Sequence, residues 1–186
     1  AYTSGAIECG MLHMAFAQMA RFYNIPAGGY VGLTNSKLND AQSGYETGMS
    51  GIAGLLGGMD MFNIGGLIDA LKTFDFAKAV IDDEMAQMMK RMKHGVSFTD
   101  EDLALNLIKE IGPGGSFITA KHTISRMKTE AVMTKIADRD ARTIWEKKGA
   151  TDTQTKAMKK AKDIMNVNTG PLIAPDVDEK IRSAFP

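Results

Sequence analysis

The sequence predicts an α/β fold. Three short apolar segments, each beginning next to glycine or proline, alternate with longer segments of helical periodicity. Polar residues crowd directly after these segments, as they do where loops at strand ends build a site. The order reads helix, strand, helix, strand, helix, helix, strand, helix, which is the alternation of parallel sheets. The 186 residues carry no net charge, and 44% are hydrophobic and 24% charged, a balance that supports one domain with its own core.

The first helix is expected over Ser4 to Asn24. Ile7, Met11, Met14 and Met19 fall near helical spacing, and their stripe is expected to pack into a core. Ser4 suits the N-cap, and Asn24 before Ile25-Pro26 suits the stop. Ala27 to Leu33 is too short for a helix and reads as a buried strand. The polar loop Thr34 to Asp40 follows. Ala41 to about Leu56 reads as a helix of small residues able to pack closely, although each interior glycine costs it roughly 1 kcal/mol.

Gly58 to Ile64 is the second strand candidate, ending in Gly65-Gly66, and Leu67 to Lys72 reads as a short turn or helix. Asp75 to His94 is a helix whose face is Phe76, Val80, Ile81, Met85, Met88, Met89 and Met92. Lys90, Arg91, Lys93 and His94 complement its C-terminal dipole, and Gly95 stops it. Thr99 with Asp102 opens the next helix in the manner of a capping box, running to about Ile111. After Gly112-Pro-Gly-Gly115, Ser116 to Thr119 is the third strand candidate, and His122 to Met133 is helical. A polar helix is expected near Thr151 to Met165, within a helical and extended tail from about residue 151.

Zero net charge argues against a dedicated nucleic-acid binder. The single cysteine, Cys9, leaves no intrachain disulfide framework and suits a reducing cytoplasm. No apolar run reaches membrane-spanning length and no secretory signal is visible, so a cytoplasmic location without membrane attachment is expected. The three histidines are scattered, so no metal-ligand cluster is expected. No phosphate-binding G-x-x-x-x-G-K-[ST] loop occurs.

Gly32-Leu-Thr-Asn-Ser-Lys-Leu-Asn-Asp-Ala-Gln-Ser-Gly-Tyr-Glu46 resembles the G-x-T-[DN]-[SA]-K-x-x-D-x-Q-x-G-Y-E stretch of the trimethylamine/glycine betaine:corrinoid methyltransferase family. Gly57 to Gly66, Ile81-Asp-Asp-Glu-Met85, Ile111 to Thr123, and Ala137-Asp-Arg-Asp140 with Trp145 to Gly149 resemble further segments of that family in the same order. The resemblance implies that residues 1–186 are the C-terminal portion of a TIM (β/α)₈ barrel. Three strands cannot close such a barrel, which takes roughly 250 residues.

The resemblance also implies an activity. Members move a methyl group from a methylated amine, trimethylamine or a quaternary amine such as glycine betaine, to the Co(I) of a separate corrinoid protein. With trimethylamine this is the first step of methylamine-dependent methanogenesis. The corrinoid belongs to the partner protein, so no cofactor is expected on this chain itself, and a homo-oligomer is the expected assembly. Trimethylamine enzymes of the family carry pyrrolysine, an electrophilic lysine derivative that a one-letter sequence can render as lysine. Lys37 is therefore the sharp candidate, either as pyrrolysine or as plain lysine.

The other candidates follow from the same resemblance. Glu8 could face a cationic amine, or simply favour a helix start. Asp40 could do similar work or cap the helix that follows. Thr34, Gln42 and Tyr45 are candidate substrate contacts on the same loop and helix. Asn63 could orient substrate or sit in a strand-end turn, and Gly65 and Gly66 could admit the planar corrin or serve turn geometry. A quaternary ammonium would call for an aromatic cage, for which Tyr2, Tyr30, Tyr45 and Phe62 lie nearest the predicted strand ends. A rival reading is a non-catalytic module binding partners through Met85, Met88, Met89 and Met92, and it requires those methionines to be exposed.

Overall fold

A computed structural model describes residues 3–167 and 173–185. Its architecture is helix-rich α/β with two small sheets. Helix α1 (Ile7–Phe22) is followed by strand β1 (Gly28–Gly29), helix α2 (Ala41–Gly57) and strand β2 (Met61–Phe62). β1 and β2 pair in parallel, Gly28 with Met61 and Gly29 with Phe62, so β1–α2–β2 is a crossover unit. Strands β3 (Leu67–Ile68) and β4 (Thr73–Phe74) form an antiparallel hairpin. The remaining helices are α3 (Phe76–His94), α4 (Asp100–Leu103), α5 (Leu105–Ile111), α6 (Lys121–Glu130), α7 (Arg142–Lys147), α8 (Thr153–Met165) and α9 (Pro175–Ala184).

Several helix ends follow the local chemistry of the sequence. Asp40, Asp75, Thr99 and Asp152 each cap a helix with a side-chain oxygen. Gly95 closes α3 at φ 74°. Ser4 is no cap: α1 starts after Ala6, in extended conformation and without a side-chain cap. The helix expected from Thr99 to Ile111 breaks at Ala104, whose φ of 49° separates α4 from α5.

Two corrections concern strands. Of Leu67 to Lys72, expected as a short turn or helix, Leu67–Ile68 is strand and residues 69–72 are the turn of the β3–β4 hairpin, with Asp69, Ala70 and Leu71 in left-handed backbone (φ 48°, 51° and 75°). Ser116 to Thr119 forms no strand; among the described residues no neighbouring strand pairs with it, and an apolar run cannot become sheet without a ladder partner.

The core lies in two clusters. Ala17, Ala20, Ala27, Val31 and Met59, with Phe62 against them, join α1, the β1 segment and the β2 segment. Ala77, Ile136 and Ala157, with Val80, Ile81 and Met158, join α3 to α8. Beyond residue 151, therefore, α8 is packed against α3. The carboxylate of Glu84 ties α3 to the segment before α7 by accepting the backbone N–H groups of Lys135, Ile136 and Ala137 at 2.5, 2.8 and 2.8 Å.

The methionine stripe of α1 is not core. Met11 and Met19 are exposed, and α1 buries Gly10, Ala17 and Ala20 instead. The reason is the closeness of α2: a Cβ on Gly57 would stand 2.7 Å from the Met14 Cα. Two helices this near can meet only through small residues.

Candidate functional site

Beyond the C-terminal end of β1 the chain runs through buried Val31, Gly32 and Leu33 to Thr34. Gly32 turns there at φ 78°, with Ile64 against the position a side chain would take. Two other segments converge on the loop 34–40. From the start of α1, the Gly5 N–H donates to Asn35 Oδ1 at 2.6 Å. From the β3–β4 tip, the N–H groups of Asp69 and Ala70 donate to the carbonyls of Ser36 and Thr34 at 2.8 and 3.0 Å. The loop is thus held from both sides at one end of the parallel pair.

Glu46 is its inner anchor. Its carboxylate accepts from Thr34 Oγ1 at 2.6 Å, the Asn35 N–H at 2.8 Å and Gln42 Nε2 at 2.9 Å. Burial works to raise the pKa of Glu46. The bonds from Thr34, Gln42 and Asn35, with the charge of Lys37, outweigh it and hold the group below its ordinary value. Thr34 also accepts the Ser36 N–H at 2.9 Å, which tightens the turn.

Asp40 performs the capping work: Oδ1 accepts the Ser43 N–H at 3.1 Å and the Ser36 hydroxyl at 2.9 Å. The Ser43 bond first, then that from Ser36, lowers its pKa. Lys37 stands at the apex with its side chain 73% exposed. Nζ donates to the Asn35 carbonyl at 2.7 Å and lies 3.7 Å from Asp69 Oδ1.

The structure gathers the predicted residues unequally. Lys37, Thr34, Asp40 and Gln42 lie in one hydrogen-bonded loop and first helical turn. Tyr45 is exposed and lines a cavity of about 280 Å³ with Gly5, Ala6, Ile7, Glu46, Met49 and Ser50. Glu8 is exposed in the first turn of α1, and no side-chain bond reaches it among the described residues. Asn63 is exposed and its N–H extends the parallel ladder to the Gly29 carbonyl at 3.1 Å. Gly65 faces open space where a Cβ would be. Gly66 is buried at φ 73°, its N–H donating to Asp82 Oδ2 at 2.8 Å.

Among the described residues, Tyr30, Tyr45 and Phe62 form no aromatic cage. Phe62 packs on the first core cluster, Tyr30 and Tyr45 are exposed, and Tyr2 lies outside the described residues. The rival methionine surface is only partly exposed. Met89 is buried, Met85 and Met88 are half-buried, and Met92 alone of the four is exposed. His122 contacts the Glu101 carbonyl at 2.9 Å, and no group of metal-ligating side chains gathers among the described residues.

Sequence reasoning missed five participants: Glu46, Asn35, Asp69, and the buried pair Lys78 and Asp82. Lys78 Nζ donates to Asp82 Oδ1 at 2.8 Å and to Thr47 Oγ1 at 2.9 Å, with the two charged side chains 2% and 1% exposed. Burial, partly offset by Lys78, raises the pKa of Asp82. The signals were present: Gln42 and Glu46, like Lys78 and Asp82, stand four residues apart on one helix face. Asp69 had no such signal, because its hairpin was not read.

The chain matches the family described as trimethylamine methyltransferase (MTTB) over residues 1–185. It is 34% identical to the trimethylamine methyltransferase MttB of Desulfitobacterium hafniense (strain DSM 10664 / DCB-2), covering 96% of this chain and 36% of the relative. It is 33% identical to a glycine betaine methyltransferase of Desulfitobacterium hafniense (strain Y51), covering 96% and 37%. With trimethylamine methyltransferase MttB2 of Methanosarcina mazei the identity is 30%, covering 93% and 35%. The chain thus spans about a third of the length of these curated relatives. No helix among the described residues is long and apolar enough to cross a membrane.

Proposed function

The chain belongs to the trimethylamine methyltransferase family, and on that footing we propose that it is the C-terminal part of a TIM-barrel enzyme moving a methyl group from trimethylamine to the Co(I) of a cognate corrinoid protein. The observation that carries this reading is the convergence of the Lys37 loop, Glu46 and the β3–β4 tip at the C-terminal ends of β1 and β2. Barrel enzymes place their chemistry at that end.

The transfer is a displacement at carbon. The Co(I) electron pair forms the cobalt–methyl bond, the carbon–nitrogen bond breaks, and its pair stays on nitrogen. Cobalt becomes Co(III) and dimethylamine leaves. A neutral trimethylamine would have to expel an amide anion, so the nitrogen must carry positive charge at the moment of transfer. Glu46, Asp40 and Asp69 give the loop a negative field that favours such a cation. Thr34 and Gln42 hold Glu46 in place, and Lys37 presents its end group toward solvent, where substrate and partner arrive. Tyr45 lines the cavity beside Glu46, Glu8 lies in the first turn of α1 next to Ile7 of that cavity, Asn63 orients substrate from the end of β2, and the open face of Gly65 beside Gly66 receives the partner's corrin.

Pyrrolysine fits position 37. The side chain is exposed, leaving room for a longer one, and the Asn35 carbonyl can accept from an ε-amide N–H as it does from an ammonium. The group would supply an electrophilic ring that takes up the amine. A plain lysine supports a second reading, because its positive charge suits the carboxylate of glycine betaine, and the relative of that name is nearly as similar as the first.

The test uses the full-length protein with its corrinoid protein reduced to Co(I). Conversion to methyl-Co(III) is followed spectroscopically with each amine, and the peptide spanning residue 37 is weighed. Transfer from trimethylamine supports the proposal. Transfer from glycine betaine alone, with an unmodified lysine mass, supports the second reading. Transfer from neither defeats both.

A further inference from the structure

We propose that Asp69 is the positioning residue for the end group of residue 37, and that the left-handed tip of the β3–β4 hairpin exists to deliver its carboxylate there. This rests on the reading of residue 37 as the amine-handling position. Three observations carry it. The carboxylate lies 3.7 Å from Lys37 Nζ, the nearest charge to it that the described residues show. The N–H groups of Asp69 and Ala70 donate to the carbonyls of Ser36 and Thr34, which fastens the tip to the Lys37 loop. Asp69, Ala70 and Leu71 hold left-handed backbone in succession without a glycine among them. Such runs persist only where the surroundings over-determine them, and they gather at ligand clamps and active sites.

The bland explanation is that aspartate merely tolerates a left-handed turn. Asparagine tolerates it as well, so Asp69→Asn keeps the backbone and removes only the charge. Two other carboxylates bear on Lys37. Glu46 feels its charge from α2, but is committed to Thr34, Asn35 and Gln42. Asp40 is committed to the cap of α2 and to Ser36. Asp69 Oδ1 carries no such bond among the described residues, and is free to follow whatever occupies the apex. With an ammonium at residue 37 it is a counter-ion; with an uncharged end group it is a free carboxylate beside the amine.

The experiment uses the full-length protein expressed with a lysine codon at position 37. The rate at which an amine-specific acylating reagent modifies Lys37 near pH 9 is read by mass spectrometry. Asp69→Asn is expected to speed this labelling two- to fivefold, the scale of one partly exposed ion pair. Leu71→Gly relaxes the tip but keeps the carboxylate, and is expected to leave labelling within the error. Equal labelling of wild type and Asp69→Asn overturns the pairing, as does a rise that Leu71→Gly reproduces. In the methyl-transfer assay, Asp69→Asn is expected to raise KM for the amine more than it lowers kcat; unchanged KM overturns the link to substrate. Wild-type protein that transfers no methyl group from any amine defeats the functional reading instead, and the labelling result still decides the pairing.

Discussion

Two lysine–aspartate pairs near the start of α2 behave oppositely. Lys78 and Asp82 are sealed beneath the site, 2.8 Å apart, with Thr47 and the Gly66 N–H completing their hydrogen bonds. Lys37 and Asp69 face solvent at 3.7 Å, the lysine 73% and the aspartate 31% exposed. A buried pair deprived of one member leaves an unpaired charge in a low dielectric, whereas an exposed pair is screened by water. The first pair is therefore a matter of stability, and the second is available for chemistry.

The comparison breaks most sharply at Lys78. Lys78→Met strands Asp82 and is expected to cost about 3–5 kcal/mol, read as a lower urea midpoint of the full-length protein. Adding Asp82→Leu should recover part of that loss, because an apolar pair of similar volume often replaces a buried ion pair well. No recovery would mean that the Gly66 N–H, orphaned by Asp82→Leu, matters more than the charge.

Next is the contact that sets the helix spacing. Gly57→Ala forces a methyl against the Met14 backbone and should destabilise by about 1–3 kcal/mol in the same assay, while Gly44→Ala, which meets nothing within 4 Å, should be neutral or better.

Glu46 gives a pH signature. Its folded-state pKa lies below the ordinary carboxylate value, so its contribution is complete above about pH 4.3 and is lost as pH falls through the depressed folded value. Glu46→Gln should therefore flatten the acid limb of a stability–pH curve and leave the limb above neutrality parallel to wild type. Parallel acid limbs would show that Glu46 is not held as described.

Among the charged residues, the smallest stability effect belongs to Lys37. Lys37→Met should shift stability by no more than about 1 kcal/mol, since exposed ion pairs contribute little.

Much of this contrast could be read from the sequence, and some could not. The loop of Lys37 was legible because Asp40 is a cap followed by a run of small helical residues, and the apolar run before it had to be buried. The hairpin was not legible: its strands are two residues each, and a left-handed Asp69-Ala70-Leu71 tip has none of the glycine that signals such turns. The buried Lys78 was hidden for a different reason. A lysine near the start of a helix reads as a solvated charge until Thr47 and Asp82 are seen around it. In α1, the large residues outside and small ones inside inverted the usual reading of a methionine stripe, because closeness to α2 outranked hydrophobicity.

The most direct test of the central claim is methyl transfer by full-length Lys37→Met protein, measured beside its urea midpoint. An amine-handling apex predicts that methyl-Co(III) formation falls at least a hundredfold while the midpoint scarcely moves, roughly a 2.7 kcal/mol rise in barrier without a loss of fold. Wild-type transfer by a folded Lys37→Met protein would contradict the account.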